Sequence, residues 1–153
     1  MRAATRALAP TRANGRGRRC ARARARTRAV EDARASGAWV AGMVELWLDE
    51  NWERGAAINR AIGEAAAASY EARWCEVSSG ASTSEEAFGG LVLAMAEDLL
   101  GFDFSDSFVS AFEVANKVIE MLMLREGVDV CCVSEEDLTR ADRYEALTRA
   151  SGG

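Results

Sequence analysis

Two adjacent cysteines form the most unusual dipeptide of the sequence. Cys131 and Cys132 could close a strained vicinal disulfide, a bond that is easily reduced and suited to redox signalling. Cys75 could exchange with them if the fold brings its Cα within ~7 Å of theirs. In a reducing compartment free thiols are the default, and a small buried thiol behaves as a hydrophobe. The pattern favours structural thiols and keeps a thiol-based redox regulator as an alternative function.

Acidic residues supply a second candidate cluster. Glu45, Asp49 and Glu53 recur every four residues, so on one continuous helix they would form a single carboxylate stripe. Such a stripe suits a metal site, a docking face or a solvated helix surface, and the last is the simplest interpretation. A di-iron bundle also needs histidine ligands, and a zinc site needs four ligands at suitable spacing. We predict no metal, no cofactor and no catalytic residue.

The composition excludes most catalytic chemistry. The 153 residues contain no histidine, which rules out Ser-His-Asp triads, Cys-His pairs and histidine proton shuttles within one chain. The only lysine, Lys117, stands in a ladder with Glu113 and Glu120 that is more typical of a solvated helix stripe than of a catalytic group. An enzyme that uses carboxylates, arginine or tyrosine alone stays open, but the sequence favours a non-catalytic protein.

Tryptophans are concentrated in one part of the chain, since all four lie between residues 39 and 74. Core packing explains some of them, whereas exposed tryptophans near arginines would suit a protein interface, because both residue types dominate interface hot spots. Together with the carboxylates they make up the predicted interface, which comprises Trp39, Trp47, Trp52, Trp74, Glu45, Asp49 and Glu53.

Charge divides the chain into two parts. Residues 1–30 contain ten arginines and no acidic residue, whereas residues 31–153 contain nine basic and 24 acidic residues, a net charge of −15. The first part also lacks the large apolar residues that a core requires, so it is expected to be disordered when alone. We therefore predict a basic segment over residues 1–36 and an acidic domain over residues 37–153.

The basic segment resembles the chloroplast transit peptides of green algae, through the Ala-Arg repeat of residues 21–26, its threonines and its lack of acids. The resemblance implies a chloroplast protein of the stroma or the stromal face of the thylakoid, with cleavage between Arg28 and Gly37. Mitochondrial import shares this composition. A retained arm that neutralises nucleic-acid phosphates is an alternative, although no aromatic residue is interleaved for base stacking. A tolerated tail of a GC-rich genome is the third interpretation.

Apolar spacing predicts an all-α fold, a small bundle of four to five helices with at most one short extended segment near residues 128–133. No apolar run reaches the ~20 residues of a membrane span. The expected helices are a first from residue 38, a second with a stripe from Ile58 to Trp74, a third over 84–100, a nearly all-apolar and therefore central fourth over 106–126, and a polar last helix over 134–150.

Capping signals set the expected boundaries of these helices. Residues 78–84 are expected to form a loop, Gly101 and Gly127 to end helices, and Asn51 to cap the second helix or to belong to the first. The expected N-terminal caps are Ser82 with Glu85 for the third helix, Ser105 or Asp106 for the fourth, and Ser134 with Asp137 for the last.

These observations favour an accessory, assembly or regulatory protein that docks onto another organellar protein. A domain with a net charge of −15 attracts a partner with a basic surface, and after removal of the basic segment it repels nucleic acid. Grooves between helices that carry tryptophan would supply specificity, and the acidic residues would accelerate association.

Overall fold

The computed structural model describes residues 37–127, residue 130 and residues 134–151. Within them the chain forms five helices and no strand, so the prediction of a small all-α bundle is confirmed. The predicted extended segment at 128–133 lies, except for residue 130, outside the described residues. The helices are α1 (residues 37–51), α2 (Ala57–Gly80), α3 (Ser84–Leu99), α4 (Ala111–Arg125) and α5 (Glu135–Ser151).

The core forms where the apolar stripes of these helices meet. Helix α3 packs between α2 and α4, and α4 also contacts α2 and α5, which agrees with the expected central place of the fourth helix. The stripe expected for α1 is fully buried and contributes Val40, Met43, Val44 and Trp47 to the same core. No described helix has the length and apolar character needed to cross a membrane.

Helices α1 and α2 approach each other closely at Gly63. A Cβ atom added there would collide with the backbone carbonyl oxygen of Ala41 in α1. Glycine weakens a helix interior by ~1 kcal/mol relative to alanine, so its presence here is explained by the space that the neighbouring backbone occupies.

A partly buried ion pair between Arg73 and Asp98 joins α2 to α3. The guanidinium of Arg73 contacts the carboxylate of Asp98 through Nη2 at 2.6 Å and Nε at 2.9 Å, and the Ser69 hydroxyl donates to the same carboxylate at 2.9 Å. The hydrogen bond from Arg73 lowers the pKa of Asp98, against the opposing effect of desolvation. Ionised Asp98 therefore stabilises the contact between the two helices.

The junction of α2 and α3 differs from its prediction by a few residues. Helix α2 continues to Gly80, so the connection is shorter than the loop expected over 78–84. The cap of α3 is Thr83 rather than Ser82, since the Thr83 hydroxyl accepts the Glu86 N–H at 3.1 Å. The Glu86 carboxylate in turn accepts the Ser82 N–H at 2.9 Å. Neighbouring Ser and Thr offer the same capping chemistry, so the sequence alone does not select between them.

The start of α4 is the larger correction, because the helix begins at Ala111 and not near residue 106. Ser110 and Glu113 form a reciprocal capping box, in which the Ser110 hydroxyl accepts the Glu113 N–H and the Glu113 carboxylate accepts the Ser110 N–H. The end of α4 and the start of α5 match the prediction. Gly127 follows α4 with φ +71°, and the Ser134 hydroxyl accepts the Asp137 N–H at the start of α5.

Candidate functional site

Three aromatic side chains are exposed where α1 ends and α4 begins. Phe108 is 82 % exposed, Phe112 is 57 % exposed and Trp52 is 39 % exposed. Trp52 and Phe108 line one shallow depression, and Phe112 follows four residues later in the first turn of α4. We call Trp52, Phe108 and Phe112 the aromatic patch. Trp52 and Phe108 share this depression, and exposed apolar groups that lie together on a small domain are typical of interaction sites.

The turn that carries Trp52 is held by a network of hydrogen bonds. The Asp49 carboxylate accepts the Gly55 N–H at 3.0 Å and the Asn59 side-chain amide at 2.9 Å. The same Asn59 amide donates to the Glu53 carbonyl at 2.8 Å. Gly55 has φ +73°, a conformation that favours glycine. Because Asn59 is buried at the start of α2, this turn is fastened to the interior of the bundle.

The Trp52 ring packs against the ring of Trp47. The two indoles meet edge to face with ring centroids 5.4 Å apart, an arrangement that aromatic pairs prefer. Trp47 is buried, so Trp52 contacts the core through this pair while 39 % of the residue stays exposed to solvent. This contact fixes the orientation of the exposed indole.

The connector that carries Phe108 is also hydrogen-bonded along its length. The Asp103 carboxylate accepts the Ser105 N–H at 3.0 Å, and this bond lowers the pKa of Asp103. The Ser107 N–H donates to the Phe104 carbonyl at 2.9 Å, and the next residue but one, Val109, is buried. Phe108 thus stands between an ordered turn and a buried anchor, with its own ring outside the core.

Acidic side chains border the aromatic patch. Glu53 and Asp106 line the depression between Trp52 and Phe108, and its described lining contains no basic side chain. The exposed Arg54 follows Glu53 in the chain but does not line the depression. The border of the depression is therefore acidic. An apolar segment flanked by basic residues is the chemistry that complements such a surface.

The residues of the predicted interface are distributed over several environments. Trp39 and Trp47 are buried in the core, Trp74 is half-buried on α2, and Trp52 alone of the four is exposed. The indole of Trp39 packs beneath the guanidinium of Arg125, 4.9 Å from it. Of the predicted tryptophans, the structure therefore places only Trp52 in the aromatic patch.

The three predicted carboxylates also separate. Glu45 pairs with Arg60 at 3.3 Å, and Asp49 stabilises the turn after α1. Glu53 lies beyond the end of α1 at residue 51, so the three do not share one helix face. The sequence had left open whether the helix continues through this region, and the structure ends it before Glu53.

Phe108 and Phe112 are the members of the patch that sequence reasoning missed. Both were assigned to the apolar surface of a helix beginning near residue 106. The signal that identifies them is the Ser110–Glu113 spacing, which is a capping box and places Phe108 outside the helix and Phe112 in its first turn.

A second polar cluster joins α5 to α1 and α4. Lys117 contacts Glu120 at 2.8 Å and Asp137 at 3.1 Å, and its Nζ also lies 5.6 Å from the Trp47 ring centroid. Arg140 contacts Asp137 and, at 2.6 Å, Glu50 of α1. We call these residues, together with Arg143, which also contacts Glu50, the α5 ion network.

Every charge in the α5 ion network has an opposite partner, which assigns it a structural role. Desolvation by itself would raise the pKa of Asp137, but the hydrogen bond and charge of Lys117, with help from Ser134 and Arg140, lower it overall. Within the predicted ladder, Lys117 is covered by α5 rather than solvated, since its side chain is only 17 % exposed, whereas Glu113 is exposed as expected of a solvated stripe.

The predicted thiol site falls largely outside the described residues, because Cys131 and Cys132 lie there. Cys75 is free and exposed on α2. In the described part of the chain, no group of three or more Cys, Asp or Glu side chains is arranged to hold a metal ion.

Comparison with known proteins gives one family and no named relative. Residues 22–126 match the model of a family described as a domain of unknown function, DUF8822. The match covers α1 to α4, stops before α5, and begins within the basic N-terminal segment. Neither the curated proteins nor the solved structures contain a match.

Proposed function

We propose that this chain, which belongs to the DUF8822 family, is a non-catalytic docking protein that binds another protein through the aromatic patch. The partner contributes an apolar segment flanked by lysine or arginine. One observation carries the proposal, namely that Phe108 is 82 % exposed although the connector on either side of it is ordered by hydrogen bonds and by buried Val109.

The energetics of the patch suit binding. Removing one large apolar side chain from water contributes about 1.5–3 kcal/mol, which a partner that covers the largely exposed Phe108 would gain. Both Phe108 and Trp52 stand on backbone that is already fixed, which lowers the entropy lost when a partner orders them. Trp52 also belongs to the residue types most often found at the energetic centre of interfaces.

Charge supports the choice of partner. Residues 31–153 carry a net charge of −15, and Glu53 and Asp106 bring that sign to the border of the patch. A basic partner would be attracted over long distances and would associate faster at low salt. The same charge repels anionic membranes and nucleic acid, which makes both poor partners for this domain.

The proposed localisation of the protein is an organelle. The arginine-rich, acid-free residues 1–30 would direct import into the chloroplast, with the mitochondrion as the alternative. The family match begins at residue 22, inside this segment, so the mature N-terminus is the decisive quantity. We expect N-terminal sequencing of the protein from its native cell to start between Arg28 and Gly37. A mature chain that keeps residues 1–30 would favour the nucleic-acid arm instead.

Affinity purification tests the docking function. A C-terminally tagged full-length chain is purified from its native cell beside two variants, Phe108→Ser and Leu93→Ser. Leu93 is 67 % exposed on α3 and does not line the depression, so it controls for the loss of any exposed apolar group. We expect a stoichiometric partner with wild type and Leu93→Ser that falls by about tenfold with Phe108→Ser. A partner retained equally by all three chains would contradict the proposal.

A further inference from the structure

A groove at the opposite end of the bundle is large enough to be a second binding site. Its volume is about 520 Å³, within the range of about 300–1,000 Å³ that is usual for ligand sites. It lies where α2 ends, α3 begins and α4 ends. Its principal lining residues are Trp74, Phe88, Ser78, Ser82, Thr83 and Glu126.

The groove is far from the aromatic patch. Helix α4 carries Phe112 in its first turn and is followed by Glu126, so its 15 residues separate the two places by ~20 Å. Helix α2 likewise starts near the patch and runs 24 residues to the groove. Events at one end can therefore be measured without disturbing the other.

The wall of the groove is aromatic. Trp74 stacks on Tyr70 with ring centroids 5.8 Å apart and an interplanar angle of 27°, and the Phe88 ring, which lines the same groove, lies 6.2 Å from Trp74. Tyr70 and Phe88 are buried, so they hold the half-buried indole of Trp74 in place. An indole face attracts a guanidinium or an ammonium group by about 0.5–2 kcal/mol.

Glu126 supplies an acidic group with no partner among the described residues. Its carboxylate makes no ion pair or hydrogen bond there, although its backbone N–H closes the last turn of α4. The position is electrostatically unfavourable for an acid, because the C-terminus of a helix carries partial negative charge. The described lining contains no basic residue to compensate it.

The remaining polar groups of the groove also disfavour an anion. The N-terminus of α3 would ordinarily attract one, but the Thr83 hydroxyl and the Glu86 carboxylate already accept hydrogen bonds from its backbone. The groove thus combines an aromatic side chain, hydroxyl groups and the exposed Glu126 carboxylate, which together complement an organic cation.

We propose that this groove is a second docking site, which takes the arginine or lysine side chain of a basic peptide segment against Trp74 and Glu126. A segment of this kind brings a positive charge to the exposed Glu126 carboxylate and a cation to the Trp74 indole at once. The proposal does not depend on the aromatic patch. With both sites the protein would bridge two basic segments.

Fluorescence anisotropy with a defined peptide tests this site. The probe is a fluorescein-labelled Gly-Arg-Gly-Arg-Gly-Arg peptide, and its matched control replaces each arginine by citrulline, which has the same shape without the charge. We expect saturable binding of the arginine peptide and at least a tenfold weaker binding of the citrulline peptide. Absence of saturable binding would overturn the proposal.

Three variants locate the binding. Glu126→Gln keeps the helix and removes the charge, Glu64→Gln removes an exposed charge from the middle of α2, and Phe108→Ser alters the patch. We expect Glu126→Gln to weaken binding about fivefold or more, and the other two to change it less than twofold. Equal losses with Glu126→Gln and Glu64→Gln would show general attraction to an acidic surface and overturn the site. Loss with Phe108→Ser alone would move the peptide to the patch, which also overturns it.

Discussion

Trp47 and Trp52 are five residues apart and their rings touch, yet they belong to two different regions of the molecule. Trp47 is buried in the core, whereas Trp52 is presented to solvent in the aromatic patch. The difference arises because α1 ends at residue 51 and the Asp49–Asn59 network turns the chain outward. Residue type alone does not tell a buried tryptophan from an exposed one, whereas the end of the helix does.

The comparison predicts two kinds of variant. Truncation in the core should lower the free energy of unfolding, because it removes buried apolar contact and leaves a cavity. Truncation at Phe108 in the patch should leave that free energy nearly unchanged, because 82 % of that residue is already exposed to water. The largest change in stability is expected in the buried core and the smallest at the exposed Phe108.

Leu91→Ala is expected to cost the most. Leu91 is completely buried in α3, and such truncations lower the free energy of unfolding by about 2.7–5 kcal/mol. Leu93, two residues along the same helix, is 67 % exposed, so Leu93→Ala should change it by less than about 0.5 kcal/mol. Urea denaturation of both variants measures the contrast. Similar losses at the two positions would contradict the assignment of the buried face.

Removal of the central carboxylate of the α5 ion network should come next. Asp137→Asn leaves Lys117 and Arg140 without that partner, and we expect a loss of about 1–3 kcal/mol, less than for an isolated buried pair because Glu50 and Glu120 remain. The control is Glu136→Ser, which removes an exposed carboxylate from the neighbouring position. A loss no larger than that control would show that α5 is held by apolar contacts instead.

The pH dependence of stability tests whether ionised Asp137 and Asp98 stabilise the folded protein. The pKa values of Asp137 and Asp98 are lowered in the folded protein, so each contributes stability that is fully present above the unfolded pKa of about 3.9. That stability is lost as the pH falls through the folded pKa. The difference between wild type and Asp137→Asn should be constant above pH ~5 and shrink below pH ~4. A difference that grows on acidification would contradict the ion network.

Two glycines sharpen the comparison between packed and open surface. Gly63→Ala should cost about 1–2 kcal/mol, because the new methyl group meets the Ala41 carbonyl of α1. Gly89→Ala in α3 meets nothing within 4 Å and should instead stabilise the protein by about 0.5–1 kcal/mol through helix propensity. Thermal unfolding of both variants distinguishes the signs. Stabilisation by Gly63→Ala would mean that α1 and α2 pack less closely.

Phe108→Ser is expected to have the smallest effect on stability and the largest on binding. With 82 % of the residue exposed, its replacement should change the free energy of unfolding by less than about 0.5 kcal/mol. Binding of the partner should weaken by about tenfold. Denaturation and affinity measured on the same preparation separate the two effects.

The sequence predicted the core better than the patch, for a physical reason. The stripe of Val40, Met43, Val44 and Trp47 is specified by helical periodicity, and all four side chains are buried. Phe108 was misassigned because an apolar run looks helical until its true cap is identified. Ser105, Asp106 and Ser110 all have capping chemistry, but only Ser110 is followed three residues later by a glutamate that completes a capping box.

The α5 ion network could not be predicted from local patterns. Arg140 contacts Glu50, which is 90 residues away in sequence, and Asp137 contacts Lys117, which is 20 residues away. No spacing rule relates residues so far apart. The start of α5 at Ser134 was nevertheless predicted correctly, because a helix cap depends only on residues three apart.

The most direct test of the docking function is photocrosslinking from position 108. A photoreactive benzoylphenylalanine replaces Phe108 in one chain and Leu93 in another, and both are irradiated in the native cell. We expect one discrete adduct from position 108, with a partner whose crosslinked segment is apolar and flanked by lysine or arginine, and no such adduct from position 93. The same adducts from both positions, or none from position 108, would contradict the docking function.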